Sequence, residues 1–272
     1  MQPSPAGTGS ATSQPLWILI LAAGTVVGHL LECGAQVTGG YFADPGVKDV
    51  ARLADCGFPI AEVSPDGHAV ITKLGDAGGL VSARTVKEQL LYEVHDPAGY
   101  LTPDVTADFS KVRIAEQGRD RVAVEGATGR ERPRTLKVTV GFDGGHFAEG
   151  GVSYAGRNAA ARARLAAEIL QDRLGRHAGF SDKLRIDLIG INALHATAGE
   201  AGIESEDVRV RVAMRSMRRD EVDTMLWEVE ALLCCGPAGG GGYRGQVSPS
   251  VVTHSTLIER DRVRPSFTMH VA

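Results

Sequence analysis

The amino-acid sequence predicts an α/β protein, a mixed β-sheet with flanking helices. Three observations carry that prediction. Val208-Arg209-Val210-Arg211-Val212 alternates strictly between apolar and charged residues, the pattern of a strand with one buried and one wet face. Val222, Met225, Leu226, Val229, Leu232 and Leu233 fall at i, i+3, i+4 and i+7, the stripe of an amphipathic helix. The first half consists of short apolar segments separated by turn chemistry, so strands and helices share the chain and must pack in layers. No internal repeat is present.

Taken in order, residues 1 to 15 are rich in Pro, Gly, Ser, Thr and Ala and are expected to be disordered. Leu16 to Ala23 is continuously apolar and reads as a buried strand or the start of a helix. No Lys or Arg precedes Lys48, so the charged leader of a signal peptide is missing, and the apolar run is too short to span a membrane. Ile60 to Val63 and His68 to Thr72 flank Ser64-Pro65-Asp66-Gly67, which predicts a β-hairpin. Thr85 and Glu88 have capping-box spacing, followed by Val86, Leu90, Leu91 and Val94 on one helical face, with the helix ending near Asp96-Pro97. Strands are expected at Arg121 to Glu125 and Leu136 to Phe142. Asn158 to Leu174 predicts an alanine-rich helix with Leu165, Ile169 and Leu174 inward, and Leu184 to Ile191 an apolar strand. The Val222 helix should stop at Gly236-Pro237. Ser250 to Ile258 and Pro265 to Val271 are the closing strands.

The chain has 272 residues, 43% of them hydrophobic, enough for one large domain or two small ones. A net charge of -4 and a pI near 6.1 argue against a nucleic-acid binder. Arg130, Arg132 and Arg134 form a basic cluster, but Glu125 and Glu131 sit among them. Cys33, Cys56, Cys234 and Cys235 make no C-x-x-C pair and no disulfide framework, which points to reduced thiols and the cytoplasm.

From about Leu21 the sequence resembles the acyclic terpene utilisation (AtuA-like) family. The carrying residues are LAAGTVVGHLLECGAQVTGGYFAD at 21 to 44, GFPIAEV at 57 to 63, and TKLGDAGGLVSARTVKEQLLYEVHDPAGYLTPDV at 72 to 105, supported by CGPAGGGGYRG at 235 to 245. The resemblance runs to roughly residue 265. It implies residues 1 to 20 as a non-family segment and 21 to 272 as an AtuA-like domain without the portion that usually precedes it; many relatives carry a ferredoxin-like domain after the equivalent of Ala272. It further implies a place in the catabolism of branched acyclic terpenoids such as citronellol and geraniol. Neighbouring steps there act on acyl-CoA thioesters and include a biotin-dependent carboxylase. The expected ligand is an acyl-CoA-like or branched carboxylic substrate. The alternative is a non-catalytic accessory or scaffold subunit for enzymes of that pathway. A second copy of the chain or acyl-CoA carboxylase-pathway proteins are the expected partners, with no nucleic acid, membrane, cofactor or metal.

The candidate chemistry centres on HLLECGAQVTGG, residues 29 to 40. On a helix, His29, Glu32 and Cys33 share a face, which could seat a metal or pair a base with a thiol. No H-E-x-x-H or paired-cysteine motif supplies a further ligand, and a helix running into a glycine turn accounts for the same residues. If the protein is an enzyme, His29 or Glu32 would handle protons. Gln36, Gly39, Gly40, Glu62, Lys73, Gly78 and Gly79 are the expected substrate-binding residues. Gly78-Gly79 precedes a capped helix, and Lys73 lies just upstream, so an anion could settle at that helix N-terminus. The glycines of 236 to 245 follow a helix, whose carbonyl end repels anions, and are expected to form a mobile loop, although Arg244 or a nest of amides could still hold an anion. Asp96, Asp104 and Asp108 near Tyr92 and Tyr100 read as turn-forming carboxylates with acid/base work conceivable. Asn192 and His195 would face a ligand crevice only if the strand before them lay in a parallel sheet.

Overall fold

A computed structural model describes residues 14–195, 205–266 and 268–270. Two compact units divide the chain at Leu136/Lys137 and Thr256/Leu257, with the middle segment forming the second unit. Helices and antiparallel sheets occur in both, as the α/β reading expects. The expected disorder of residues 1 to 15 lies, up to residue 13, outside the described residues.

The first unit opens with helix α1 (Leu16–Glu32). The apolar run is therefore helical, and Ile18, Ala22, Val26 and Leu30 form its buried stripe at four-residue intervals. Strands β1 (Ile60–Val63) and β2 (Ala69–Thr72) make the expected hairpin, with Glu62 opposite Val70. Helix α2 (Ala83–Leu91) begins one turn earlier than Thr85 spacing suggests. Ser82 is the N-cap and Thr85 its N3 partner, the two residues exchanging side-chain bonds, while Glu88 pairs with Lys48 at 2.8 Å instead. The helix also stops at Leu91, short of Asp96-Pro97, and Glu93 turns the chain with φ of 57°. Three short strands β3 (Tyr100–Leu101), β4 (Thr106–Asp108) and β7 (Thr128–Arg130) form one sheet. Strands β5 (Arg113–Gly118) and β6 (Arg121–Glu125) join the hairpin in the order β1-β2-β6-β5. Its inner face carries Ile71, Val122 and Val124, which pack in one core with α1, Val86 and Leu90.

The second unit is built from β8 (Thr135–Ala155), α3 (Ala159–Gly175), β9 (Leu184–Ile189), β10 (Asp207–Ser216), α4 (Arg219–Cys235) and β11 (Gly241–Glu259). Strand β8 continues far past the expected Phe142. The succession is β-α-β-β-α-β and the sheet order is β11-β8-β10-β9, so the two outer crossovers interleave as in ferredoxin-like folds. A ferredoxin-like arrangement thus lies within residues 137–256. Val208, Val210, Val212 and Met214 face the helices, as the alternation predicts. In α3 the buried stripe is Ala159, Ala163, Ala166, Leu170 and Leu174; Leu165 points outward, 49% exposed, because it lies off that four-residue row. Leu233 of α4 is likewise exposed. β11 starts at Gly241, so half of the glycine-rich stretch expected to be a mobile loop is strand. No strand forms over the described residues from Pro265 onward.

Helix α4 carries Asp220 and Glu221 in its first turn, where the helix dipole favours anions. Hydrogen bonds from Lys183 and Ser216 hold the Glu221 carboxyl below the ordinary glutamate value of 4.5. A depressed carboxyl stabilises the fold fully above its unfolded value and loses that contribution as pH falls through its folded value. The urea midpoint should therefore decline as the pH is taken below 4.5, and Glu221→Gln should flatten part of that decline; an unchanged pH profile in the variant would sink the assignment.

Candidate functional site

Three of the sequence blocks singled out above meet in space around Thr38, which is fully buried. Its hydroxyl donates to the carbonyls of Gly57 at 2.6 Å and Ala35 at 2.9 Å, and lies 3.4 Å from Cys56 Sγ. Its own carbonyl accepts from the Leu80 amide at 2.8 Å and from the Cys56 thiol at 3.3 Å. The Gly78 and Gly79 amides donate to Asp55 and Ala51 at 2.9 and 3.0 Å. A Cβ on Gly78 would collide with the Arg52 carbonyl oxygen, and one on Gly79, whose φ is +91°, with that of Thr38. Residues 34–40, 51–57 and 73–80 are thus wound into one knot that only glycine permits at these crossings. Gly39 belongs to it, with a Cβ position 2.9 Å from Val50 Cγ1, and Gly40 closes the turn on the Ala35 carbonyl at 2.8 Å. Gln36 sits in the 3₁₀ turn Gly34–Gln36 that leads in from α1.

The anion expected beside Gly78-Gly79 is supplied by the chain itself. The N-terminal amides of α2 take Ser82 Oγ at Thr85 and the Glu116 carboxylate at Ala83, 3.1 Å away, and the preceding Val81 amide donates to Asp120 at 3.0 Å. Lys73 is buried in the same place. Its ammonium donates to the Ala77 carbonyl at 2.8 Å and stands 3.5 Å from Asp120 Oδ2, so it ties the glycine loop to the turn between β5 and β6.

His29 and Glu32 lie on the last turn of α1, apart from that knot's hydrogen bonds. The residue is 5% exposed, and its imidazole lies beside the stacked rings of Tyr100 and Phe109, with centroids 5.6 and 5.8 Å away. Glu32 Oε1 comes within 3.3 Å of Nδ1, yet without the angle of a hydrogen bond, so both ring nitrogens lack a hydrogen-bond partner. Gln89 reaches the His29 carbonyl at 3.1 Å. Among the described residues no group of three His, Cys, Asp or Glu side chains could hold a metal ion. The carboxylates Asp96 and Asp108 serve turns, accepting from the amides of Ala98 and Ser110. Strand β9 pairs antiparallel with β10, so the parallel crevice on which the Asn192 and His195 reading depended does not form there; Asn192 accepts from the Leu188 amide.

Glu62 belongs to a different place, the outer face of the β1-β2-β6-β5 sheet. Pairing puts Glu62, Ser64, His68, Val70, Arg121, Ala123 and Glu125 on that face. All of these but Arg121 border an open groove of about 470 Å³ with Val70 and Ala123 on its floor, and Arg121 adjoins it through Glu62. At one side Arg121 grips Glu62 through two hydrogen bonds of 2.9 and 2.5 Å and holds its carboxyl below the usual range. At the other, Glu125 lies 3.0 Å from Arg113 and 3.6 Å from His68. The groove joins an apolar floor of Val70 and Ala123 to polar side chains at its rim. The knot fixes it, because β1 leaves from Cys56-Gly57 and β2 delivers Thr72-Lys73. Sequence reasoning missed Thr38, Cys56, Arg121 and Asp120. Thr38 stood inside a quoted block and Cys56 directly before another, but the Arg121–Glu62 pair spans 59 residues and leaves no local signal.

A model of the acyclic terpene utilisation family protein AtuA matches residues 18–269. No curated protein and no solved structure matches the chain.

If the knot is held by backbone approach, Gly79→Ala should cost about 3 kcal/mol or more, from a strained φ plus a clash with a carbonyl. Gly24→Ala, in the middle of α1 with nothing within 4 Å of its Cβ position, should gain about 0.5–1 kcal/mol. Urea unfolding of the two variants measures the contrast, and equal effects would refute it.

Proposed function

From the premise that the chain belongs to the acyclic terpene utilisation family, we propose that it binds a branched acyclic carboxylic substrate, free or as an acyl-CoA-like thioester, in the groove on the outer face of the β1-β2-β6-β5 sheet. The family match places the chain in acyclic terpene utilisation. The groove's architecture is the observation that supports the ligand. Its volume, about 470 Å³, is within the range of small-molecule sites. A methyl-branched hydrocarbon chain would lie over Val70 and Ala123, and burial of each CH2 there is worth about 0.8 kcal/mol. The acidic head would reach Arg121, whose planar fork suits a carboxylate and which now holds Glu62 in that geometry. His68, 59% exposed in its side chain, stands at the other side of the groove as the group able to exchange protons with a bound acid.

A rival reading, an accessory subunit without catalysis, draws on α1. Trp17, Ile20 and Leu21 are 51, 40 and 37% exposed on one side of that helix, as a docking face would be.

Calorimetric titration of the whole chain with geranate, geranyl-CoA and free CoA decides between them. Saturable heat with geranate or geranyl-CoA is expected, and Ala123→Leu, which fills the floor, and Arg121→Gln should each weaken it at least tenfold. Both positions lie on an exposed sheet face, so the variants should melt like the parent. Absence of heat from a folded sample, or variants that both bind as tightly as the parent, would remove the groove from consideration.

A further inference from the structure

The alternation of β10 places Val208, Val210 and Val212 under α3 and α4, which leaves Arg209, Arg211 and Arg215 on the opposite face. The register fixes their neighbours. Arg211 lies between Gly151 of β8 and Asp187 of β9, while Arg209 lies across from Ser153. The two acids that flank Arg211 on this face are already taken. Arg211 bonds Glu149 at 2.7 Å and Asp187 at 2.6 Å, and Arg185 bonds Asp187 at 3.0 Å.

Arg209 is different. Its guanidinium donates to Ser153 Oγ at 3.1 Å, to the Gly242 carbonyl at 3.1 Å and to the Gly151 carbonyl at 3.0 Å, all neutral acceptors. A Cβ on Gly151 would lie 3.0 Å from Arg209 Nε, so glycine there is what lets the guanidinium lie along the sheet. Arg244, one strand position past Tyr243, donates only to that neighbour's carbonyl at 3.2 Å. Among the described residues neither arginine has a carboxylate within ion-pair distance. Both border a cavity of about 330 Å³, with Glu149, Gly150, Gly245 and Gln246 completing its wall. A half-buried cation oriented by three neutral acceptors, beside a second unpaired cation, is a site whose ordering cost is already met and whose charge is not.

We propose that this cavity binds a phosphoryl group, free or carried on a nucleotide-like molecule. Arg211 is paired with Glu149 and Asp187, and Arg185 with Asp187, outside the cavity, which leaves the charges of Arg209 and Arg244 for a dianion to match. Tetrahedral oxygens can take a fork from each unpaired guanidinium at once, and the Gln246 amide adds a neutral donor. Glu149 disfavours a bulkier acid at the wall, but its charge is spent on Arg211. Nothing in this assignment depends on the terpenoid-acid groove, since geranate has no phosphoryl group.

The test is ³¹P line broadening of inorganic phosphate by the whole chain at constant ionic strength, with coenzyme A as competitor. Saturable binding is expected, weakened at least tenfold by Arg244→Gln and by Arg209→Gln. Arg185→Gln on the same face, paired to Asp187, should change it less than twofold. Arg244 holds no other strand in place, so its variant keeps the test clean if Arg209→Gln perturbs folding. Displacement of phosphate by coenzyme A would identify a carried phosphoryl group, and phosphate binding without displacement a free ion. No saturable binding of either, or an Arg244→Gln protein that binds like the parent, would overturn the site.

Discussion

The first unit depends on how closely three backbone segments can approach one another at Thr38. A hydroxyl that donates inside a fully buried crossing, and a carbonyl that accepts from two directions, satisfy polar groups that would each cost about 1–3 kcal/mol unpaired. That arrangement is possible only because Gly78 and Gly79 carry no side chain where the Arg52 and Thr38 carbonyls pass. Its consequences reach outward along the chain. β1 emerges from one arm of the crossing and β2 ends on another, so the pitch of the outer sheet face is set there. Lys73 and Asp120 extend the same constraint to the far turn of that sheet. The Gly78 and Gly79 amides are themselves taken by the Asp55 and Ala51 carbonyls, so these glycines hold the crossing and offer no amide to a ligand.

This division of labour explains what the sequence made legible and what it hid. Where a signal is local and periodic it survived folding: the Ser64–Gly67 turn, the β10 alternation, the α4 stripe and the Gly236 stop all correspond to real elements. Errors arose where two local signals competed. Thr85 has cap chemistry and Glu88 the right spacing, yet Ser82 won because starting one turn earlier lets Thr85 answer from N3 and lets Glu116, from another strand, meet the Ala83 amide. Leu165 looked inward by composition, but the alanines beside it make a flatter row that fits closer to the sheet. The glycines of 236 to 245 suggest a loop on composition alone; pairing with β8 converts their second half to strand.

The candidate site was legible only in pieces. His29 and Cys33 share a helical face as spacing requires, but what lies opposite is Tyr100 and Phe109 rather than further ligands. Glu62 stands in GFPIAEV, one of the blocks that carry the family resemblance, and is grouped with the glycines on that account. It parts from them because a strand's period of two sends it to the outer face, toward Arg121. Partners 59 residues apart are decided by strand order, and strand order is a tertiary property.

The two four-stranded sheets, considered singly, follow one economy of charge. In each, an arginine on the wet face pairs with a glutamate across a strand: Arg121 with Glu62 in the first unit, Arg211 with Glu149 in the second. Such pairs at partly exposed positions contribute little to stability, typically about 0–1 kcal/mol. Their better-supported physical effect is to fix the guanidinium plane, which a planar or tetrahedral oxyanion can then meet without a further ordering cost. The second sheet goes one step beyond the first, since Arg209 is oriented by neutral acceptors alone and keeps its full charge. A cation fixed in that way gains more from an arriving anion than one that must first release a glutamate. On the two proposals, the face around Arg209 should hold an anion the more strongly, and the groove beside Arg121 should select the more narrowly, because its proposed ligand must displace Glu62 and fill the Val70–Ala123 floor as well.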